Sequence, residues 1–270
     1  MSPNLAEGAL VHKKEKRYFV LCLLVSLGLY VALIVSVIGI LWLVLLFGVP
    51  FVLHALAMAH LRKNGVRLSA HQFPQVYERI KTLCADMGLP TVPDVYVIES
   101  GGLLNAFATR FFGRNMVVLY ADIFDLILRG GNDELDFVIA HELAHLKRRH
   151  ITKNLLLLPA NWIPFLSQAY ARACEYTCDR MAAYHTGNLA AATNGLVMLA
   201  IGKTLFRHVN VDEYLRQSEK ETGFFVWLAE KLVTHPPLPK RLAEVQRFME
   251  NVVGTPVLPP AGTTERLVKS

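Results

Sequence analysis

His141-Glu142-Leu143-Ala144-His145 holds, within five residues, the groups that metal-assisted hydrolysis requires. Residues four apart on a helix share a face, so His141 and His145 can present imidazole nitrogens to one metal ion. Glu142 follows about 100° further round the helix, near that ion but off its ligand axis. There a carboxylate can take a proton from a metal-bound water instead of filling a coordination position. The flanks predict the helix itself. Asp133, Glu134 and Asp136 put acidic residues at its start, and an apolar run follows from Phe137 to Ala140. Lys147, Arg148 and Arg149 bring positive charge to its end, so both ends match the helix dipole.

Catalytic zinc usually takes three protein ligands, so another donor must come from elsewhere in the chain. The segment Gln168–Tyr184 contains neither Pro nor Gly, reads as a helix, and carries Glu175 and Asp179 on one face. That spacing lets Glu175 complete the ligand set while Asp179 accepts the outer N–H of a ligand histidine and fixes its tautomer. The alternative is a pair of surface carboxylates, each beside an arginine. Cys174 and Cys178 flank Glu175 and invite a thiolate site, but Cys22 and Cys84 lie in unrelated contexts, and small apolar packing residues are the simpler reading. Four cysteines without regular spacing give no disulfide framework, which suits a reducing compartment.

Four blocks in order now carry a resemblance. They are Leu104-Asn105-Ala106-Phe107-Ala108, then His141 to His145, then Glu175 with Asp179, then Thr234-His235-Pro236-Pro237 followed by Lys240 and Arg241. In this the chain resembles the gluzincin membrane proteases of metallopeptidase family 48, the group that includes HtpX and the CAAX prenyl endopeptidases. The resemblance covers Val95 to about Phe248. It implies an α+β, mainly helical fold in which an N-terminal transmembrane helical hairpin precedes a gluzincin zinc-protease domain with a small antiparallel sheet. It also implies Zn2+ as cofactor and a substrate-side edge of the sheet at Asn105 and Ala106, where an extended peptide can add as another strand. Phe107 is a weaker candidate there, and a turn at Asn105 with Phe107 in the core is the plainer alternative. The His-Pro block lies near the cleft in this family, so His235 or Arg241 could stabilise the oxyanion; a helix-cap role for Thr234, His235 and Pro236 is equally open.

The elements that must position these groups begin at the N-terminus. From Tyr18 to Leu61 there is no Asp, Glu, Lys or Arg, a stretch about twice the ~20 residues that cross a hydrocarbon core. Two spans fit, Tyr18 to Val37 and Ile40 to Leu61, with a tight turn at Ser36 to Gly39 and a kink or break at Gly48-Val49-Pro50. Lys13, Lys14, Lys16 and Arg17 precede them, and Arg62, Lys63 and Arg67 follow. Positive charge on both flanks predicts that both face the cytoplasm, with the turn outside. The expected location is the bacterial inner (cell) membrane, as a multi-pass integral protein with its protease domain cytoplasmic. The net charge of +6 is explained by juxtamembrane residues facing anionic lipid, and no nucleic-acid motif accompanies it. Leu155 to Leu166 is apolar but too short to span. It is either a core segment or, as the resemblance implies, a membrane-contacting element anchored by Trp162.

Within 62–253, the expected protease domain, Asp94–Ile98 alternates like a strand and Asn115–Tyr120 reads as a buried one. Gly-containing turns at Ser100-Gly101-Gly102 and Gly113-Arg114 separate them. Helices are predicted over His71–Met87, with Val76, Ile80 and Leu83 on one face, and over Asn188–Leu205, Phe224–Val233 and Pro239–Asn251. Residues 1–17 read as a basic cytoplasmic tail and 254–270 as a disordered one. The function that follows is a zinc metalloendopeptidase acting on protein or peptide substrates at the bilayer, with quality control of membrane proteins preferred on the resemblance. Competing readings are a non-catalytic zinc-stabilised scaffold or chaperone, a CAAX-type processing protease, and a transporter. Two spans without an intramembrane acid or base offer a transporter little.

Overall fold

A computed structural model describes residues 6–99, 106–122, 131–202 and 204–254. Asn105, the turn at Ser100-Gly101-Gly102 and the tail from 255 to 270 lie outside them.

The charge-free stretch forms two helices. After the short α1 (Glu7–Leu10), α2 covers Lys13–Val35 and α3 covers Val37–Asn64. Both are long and apolar enough to cross a membrane. Ser36 breaks them with an extended backbone, and its hydroxyl accepts a hydrogen bond from the Gly39 N–H at 3.3 Å, capping α3. A Cβ on Gly39 would collide with the Leu33 carbonyl, so the hairpin can close this tightly only over glycine. The helix continues through Pro50 and ends with Arg62 and Lys63 in its last turn. Much of the outward surface of the pair is large and apolar, including Leu24, Leu27, Ile34, Leu41, Val44 and Leu53. A water-facing monomer rarely exposes such a surface; a membrane-associated protein requires it.

Four strands follow, in the spatial order β1 (Val66–Arg67), β2 (Asp94–Ile98), β4 (Arg114–Tyr120), β3 (Ala106–Phe111). The expected antiparallel sheet is corrected here to a mixed one. β3 and β4 form an antiparallel hairpin, but β4 inserts between β2 and β3 and runs parallel to β2, with Tyr96 opposite Val118. Met116 to Leu119 on β4 are buried without interruption, as expected of a central strand covered on both faces.

Helices complete the domain. α4 (Pro74–Asp86) starts with Pro74 in its first turn and buries Val76, Ile80 and Leu83. The metal-motif helix α5 (Asn132–Lys147) buries nearly every residue from Glu134 onward. A short α6 (His150–Leu156) and a 3₁₀ turn (Leu158–Trp162) lead to α7 (Leu166–Thr186), which packs against both α5 and α2. Then come α8 (Leu189–Ile201), α9 (Val211–Lys220), α10 (Phe224–Leu232) and α11 (Leu238–Phe248). On α8, a Cβ at Gly195 would come 2.9 Å from the Phe137 ring, so glycine is what lets α8 lie close on α5. The core joins α4, α5, α7, α8 and α11 to the sheet. Leu10 of α1 is buried in it, and the His12 N–H donates to Thr177 Oγ1 at 3.0 Å. The segment ahead of α2 is thus packed onto the domain.

Candidate metal centre

α5 and α7 lie side by side and bring three donors together. His141 Nε2 and His145 Nε2 stand 3.2 Å apart. Glu175 Oε2 is 3.5 Å from the first and Glu175 Oε1 is 3.3 Å from the second. Donors held about 2.0–2.1 Å from a tetrahedral zinc ion are about 3.3–3.4 Å from one another. The triangle His141, His145, Glu175 therefore has the dimensions of one face of such a site. Two imidazole nitrogens and a carboxylate oxygen converging at these distances make a donor set of the kind that holds zinc.

Each histidine of the triangle has its own outer support. His141 Nδ1 lies 2.9 Å from Asp179 Oδ1, off the ideal hydrogen-bond line. Asp179 in turn takes two hydrogen bonds from Arg241, Nε to Oδ2 and Nη2 to Oδ1, both 2.7 Å. Arg241 Nη1 also lies 3.5 Å from Glu175 Oε2. All of these groups are buried. Burial alone would raise the carboxyl pKa of Asp179 and of Glu175. Arg241 outweighs that at Asp179, and the two histidines, with Arg241 behind them, outweigh it at Glu175, so both stay ionised. Arg241 is thus committed as the partner of Asp179.

His145 is supported differently. Its Nδ1 is 3.1 Å from His150 Nδ1, and His150 Nε2 is 3.4 Å from Glu15 Oε1 on α2. With the metal face on His145 Nε2, the proton sits on its Nδ1 and points at the His150 Nδ1 lone pair. His150 then carries its own proton on Nε2, toward Glu15. Burial pushes the His150 pKa down to about 4 against the pull of Glu15, consistent with a neutral ring. Glu15 also faces Arg148 Nη2 at 3.0 Å and Lys153 Nζ at 3.6 Å. Sequence reasoning missed both His150 and Glu15. The only signal was a lone acid within a basic run and a histidine five residues after the motif.

The two cysteines near the centre are buried and unpaired. Both can be grouped with His150 as donors. Burial raises both thiol pKa values, in keeping with small packing residues, and Arg148 and Lys153 occupy the Glu15 side.

The donors open onto a cavity of about 670 Å³. Glu142 lines it, as do Ala106, Phe107 and Ala108 of β3, the strand at the sheet's end. Phe107 serves both readings, since its ring also packs edge-on to Tyr120 at 6.3 Å. His235 stands exposed at the rim, its Nε2 3.7 Å from Glu175 Oε1. Its cap role is not realised: α11 starts at Leu238, and no side chain caps it.

Comparison with known proteins agrees with this arrangement. The sequence profile of Peptidase family M48 matches residues 70–160 and 155–249. A protease HtpX homolog of Halobacterium salinarum is 33% identical over 94 residues, 34% of this chain and 30% of the relative. The plastoglobule-localized metallopeptidase 48 of Arabidopsis thaliana is 29% identical over 171 residues, 54% of this chain and 48% of the relative. A protease HtpX homolog of Thermococcus sibiricus is 24% identical over 233 residues, 68% of this chain and 77% of the relative. The matched part spans less than half the length of the first two.

Proposed function

Because the chain belongs to peptidase family M48, we propose that it is a membrane-tethered zinc metalloendopeptidase, with His141, His145 and Glu175 as the metal ligands. The observation that carries this is the donor triangle, 3.2 to 3.5 Å on a side, opening beside Glu142 into one cavity. When bound there, zinc supplies a Lewis acid for the scissile carbonyl and lowers the pKa of water toward ~7.

The chain's own residues do the rest. Glu142 takes the proton of the attacking water and hands it to the leaving nitrogen. Asp179 and His150 hold the outer nitrogens of the two ligand histidines, so that their metal-facing nitrogens keep lone pairs. His235, at the rim, donates to the developing oxyanion; Arg241, occupied by Asp179, serves as a support instead. A peptide in extended form lies along β3 at Ala106, with Asn105 as the next contact, held by main-chain hydrogen bonds and so with loose sequence demands.

In this reading both α2 and α3 span the bilayer, and their positive flanks keep the protease domain on the cytoplasmic side of a bacterial inner membrane. The substrates are unfolded or damaged membrane proteins, which such a tether brings to the cleft. The test is Glu142→Gln. Zinc content and folding should match wild type, while cleavage of casein and of membrane substrates falls to background. Wild-type cleavage by that variant would sink the mechanism, and equal membrane proteomes in wild-type and variant cells would favour a scaffold.

A further inference from the structure

The β3–β4 hairpin turns through Arg110-Phe111-Phe112-Gly113-Arg114, an aromatic pair flanked by arginines. The two-residue turn needs positive φ at both Phe112 (45°) and Gly113 (82°), the geometry that hairpins normally give to Asn-Gly or Gly-Gly. A bulky residue there is strained, and Phe112 gains no burial in return, since 77% of it is exposed. A strained, exposed phenylalanine at a hairpin tip adds nothing to folding in water.

The surroundings say what covers it. The Phe112 ring lies 6.0 Å from Phe51, Phe111 lies 5.7 Å from His54, and His54 Nε2 is 3.2 Å from the Arg110 carbonyl. Counted from the turn at Ser36, about 20 residues of α3 fill the ~30 Å hydrocarbon core, which then ends near Leu56. His54 falls just inside that limit, and Phe51 about one turn deeper. The Arg110 backbone is thus near the boundary, and Phe112, against Phe51, lies below it. Arg110 Nη1 also bonds Thr152 Oγ1 at 3.0 Å, tying the tip to α6. Leu155 and Leu156 of α6 are exposed beside α2, where Tyr30 donates to the Leu156 carbonyl at 3.3 Å.

We propose that this hairpin tip is a lipid-insertion site: Phe112 enters the acyl layer, backed by Phe111, which packs against the Met58, Leu61 and Met116 cluster, while Arg110 and Arg114 hold anionic headgroup phosphates. The strand that lines the cavity is then rooted in the bilayer, and a segment leaving the membrane meets β3 directly. The inference deepens the tethered-protease reading and rests on its two spans, so the experiment carries a separate label for each.

The full chain is reconstituted into vesicles of phosphatidylcholine and phosphatidylglycerol, as Phe112→Cys, Leu45→Cys or Glu78→Cys with an environment-sensitive fluorophore. The unmodified chain, whose described cysteines are all buried, sets the background. Lipids carrying a nitroxide at a shallow acyl position should remove more than half of the Phe112 emission and leave the Glu78 emission unchanged. Deep nitroxides should quench Leu45, in mid-span. Adding Arg114→Glu to Phe112→Cys should reduce shallow quenching to the level seen in phosphatidylcholine alone. Quenching at Leu45 without quenching at Phe112 overturns the insertion and leaves the spans standing. Quenching at neither position overturns the membrane reading itself. Unchanged quenching with Arg114→Glu overturns the headgroup contact.

Discussion

The two histidines proposed as metal ligands sit one helical turn apart on α5, yet their outer nitrogens face unlike chemistry. Behind His141 lies a charged unit, Asp179 clamped by Arg241, on α7 and α11 within the protease domain. Behind His145 lies a neutral ring, His150, and behind that Glu15 at the start of α2. The first support is closed within the domain. The second runs out of it, into the helix that enters the membrane. A side chain held by a buried ion pair gains geometry at the cost of desolvating charge, whereas a neutral imidazole avoids that cost and carries position from one element to another. The difference suggests that the His141 side fixes the site and the His145 side registers where the membrane helix sits.

Breaking the charged unit should have the largest effect. Arg241→Ala leaves Asp179 and Glu175 buried beside each other without their common cation, and losing one partner of such a pair costs about 3–5 kcal/mol. Urea unfolding of the detergent-solubilised variant should show a loss of that size. A loss under about 1 kcal/mol, as for an exposed pair, would mean that the clamp is not the anchor described.

With the metal stripped, the two sides should titrate in opposite senses. Burial opposes a charge on His141, but the contacts with Asp179 and Glu175 outweigh it and hold the pKa up at about 10. A base whose pKa is raised on folding stabilises the fold below its unfolded value of about 6.5, and that contribution is lost as the pH rises through 10. His150 is depressed to about 4 by burial, so the unfolded chain takes up its proton first. Stability is therefore lost as pH falls from about 6.5 toward 4, by an amount of order 3 kcal/mol. Thermal midpoints across this range should flatten on the alkaline limb in Asp179→Asn and on the acid limb in His150→Phe. If both variants flatten the same limb, the supports are not independent.

Legibility in the sequence follows the same division. The His141 side could be read because its parts are local: i, i+4 pairs within single helices place His141 with His145 and Glu175 with Asp179. What joins those helices is long-range. Arg241 lies 62 residues from Asp179, and its spacing gave no reason to prefer a clamp over an oxyanion donor. Glu15 lies 133 residues from Arg148, and nothing within its run of Lys and Arg singles it out. The spans and most helices were legible from apolar periodicity. The sheet's mixed order was not, because hydrophobic alternation sets which face of a strand is buried and not which neighbour it pairs with.

A smaller effect is expected at the neutral ring. His150→Phe keeps an aromatic of similar size against Tyr170 and His145 but leaves the His145 Nδ1–H without an acceptor. Loss of an outer partner of this kind typically lowers metal affinity 10–100-fold. Competition with a chromophoric chelator measures it. Unchanged affinity would mean that His150 only packs, and the difference between the two supports would lose its functional meaning.

The smallest effect belongs to the far end of the relay. Glu15→Gln keeps the shape and one acceptor oxygen, so His150 can still donate from Nε2 and His145 stays oriented. What is lost is the charge facing Arg148 and Lys153, and both of those side chains retain some contact with solvent. Zinc affinity should therefore fall less than about tenfold, below the loss from removing a directly bonded outer partner. The informative readout is the comparison between membrane and detergent. If Glu15 passes the position of α2 to the site, the affinity of the unmodified chain should differ between vesicles and micelles, and Glu15→Gln should shrink that difference. An equal difference in both proteins would confine Glu15 to packing the first turn of α2 against α6 and α7, and would leave the site indifferent to the membrane helix.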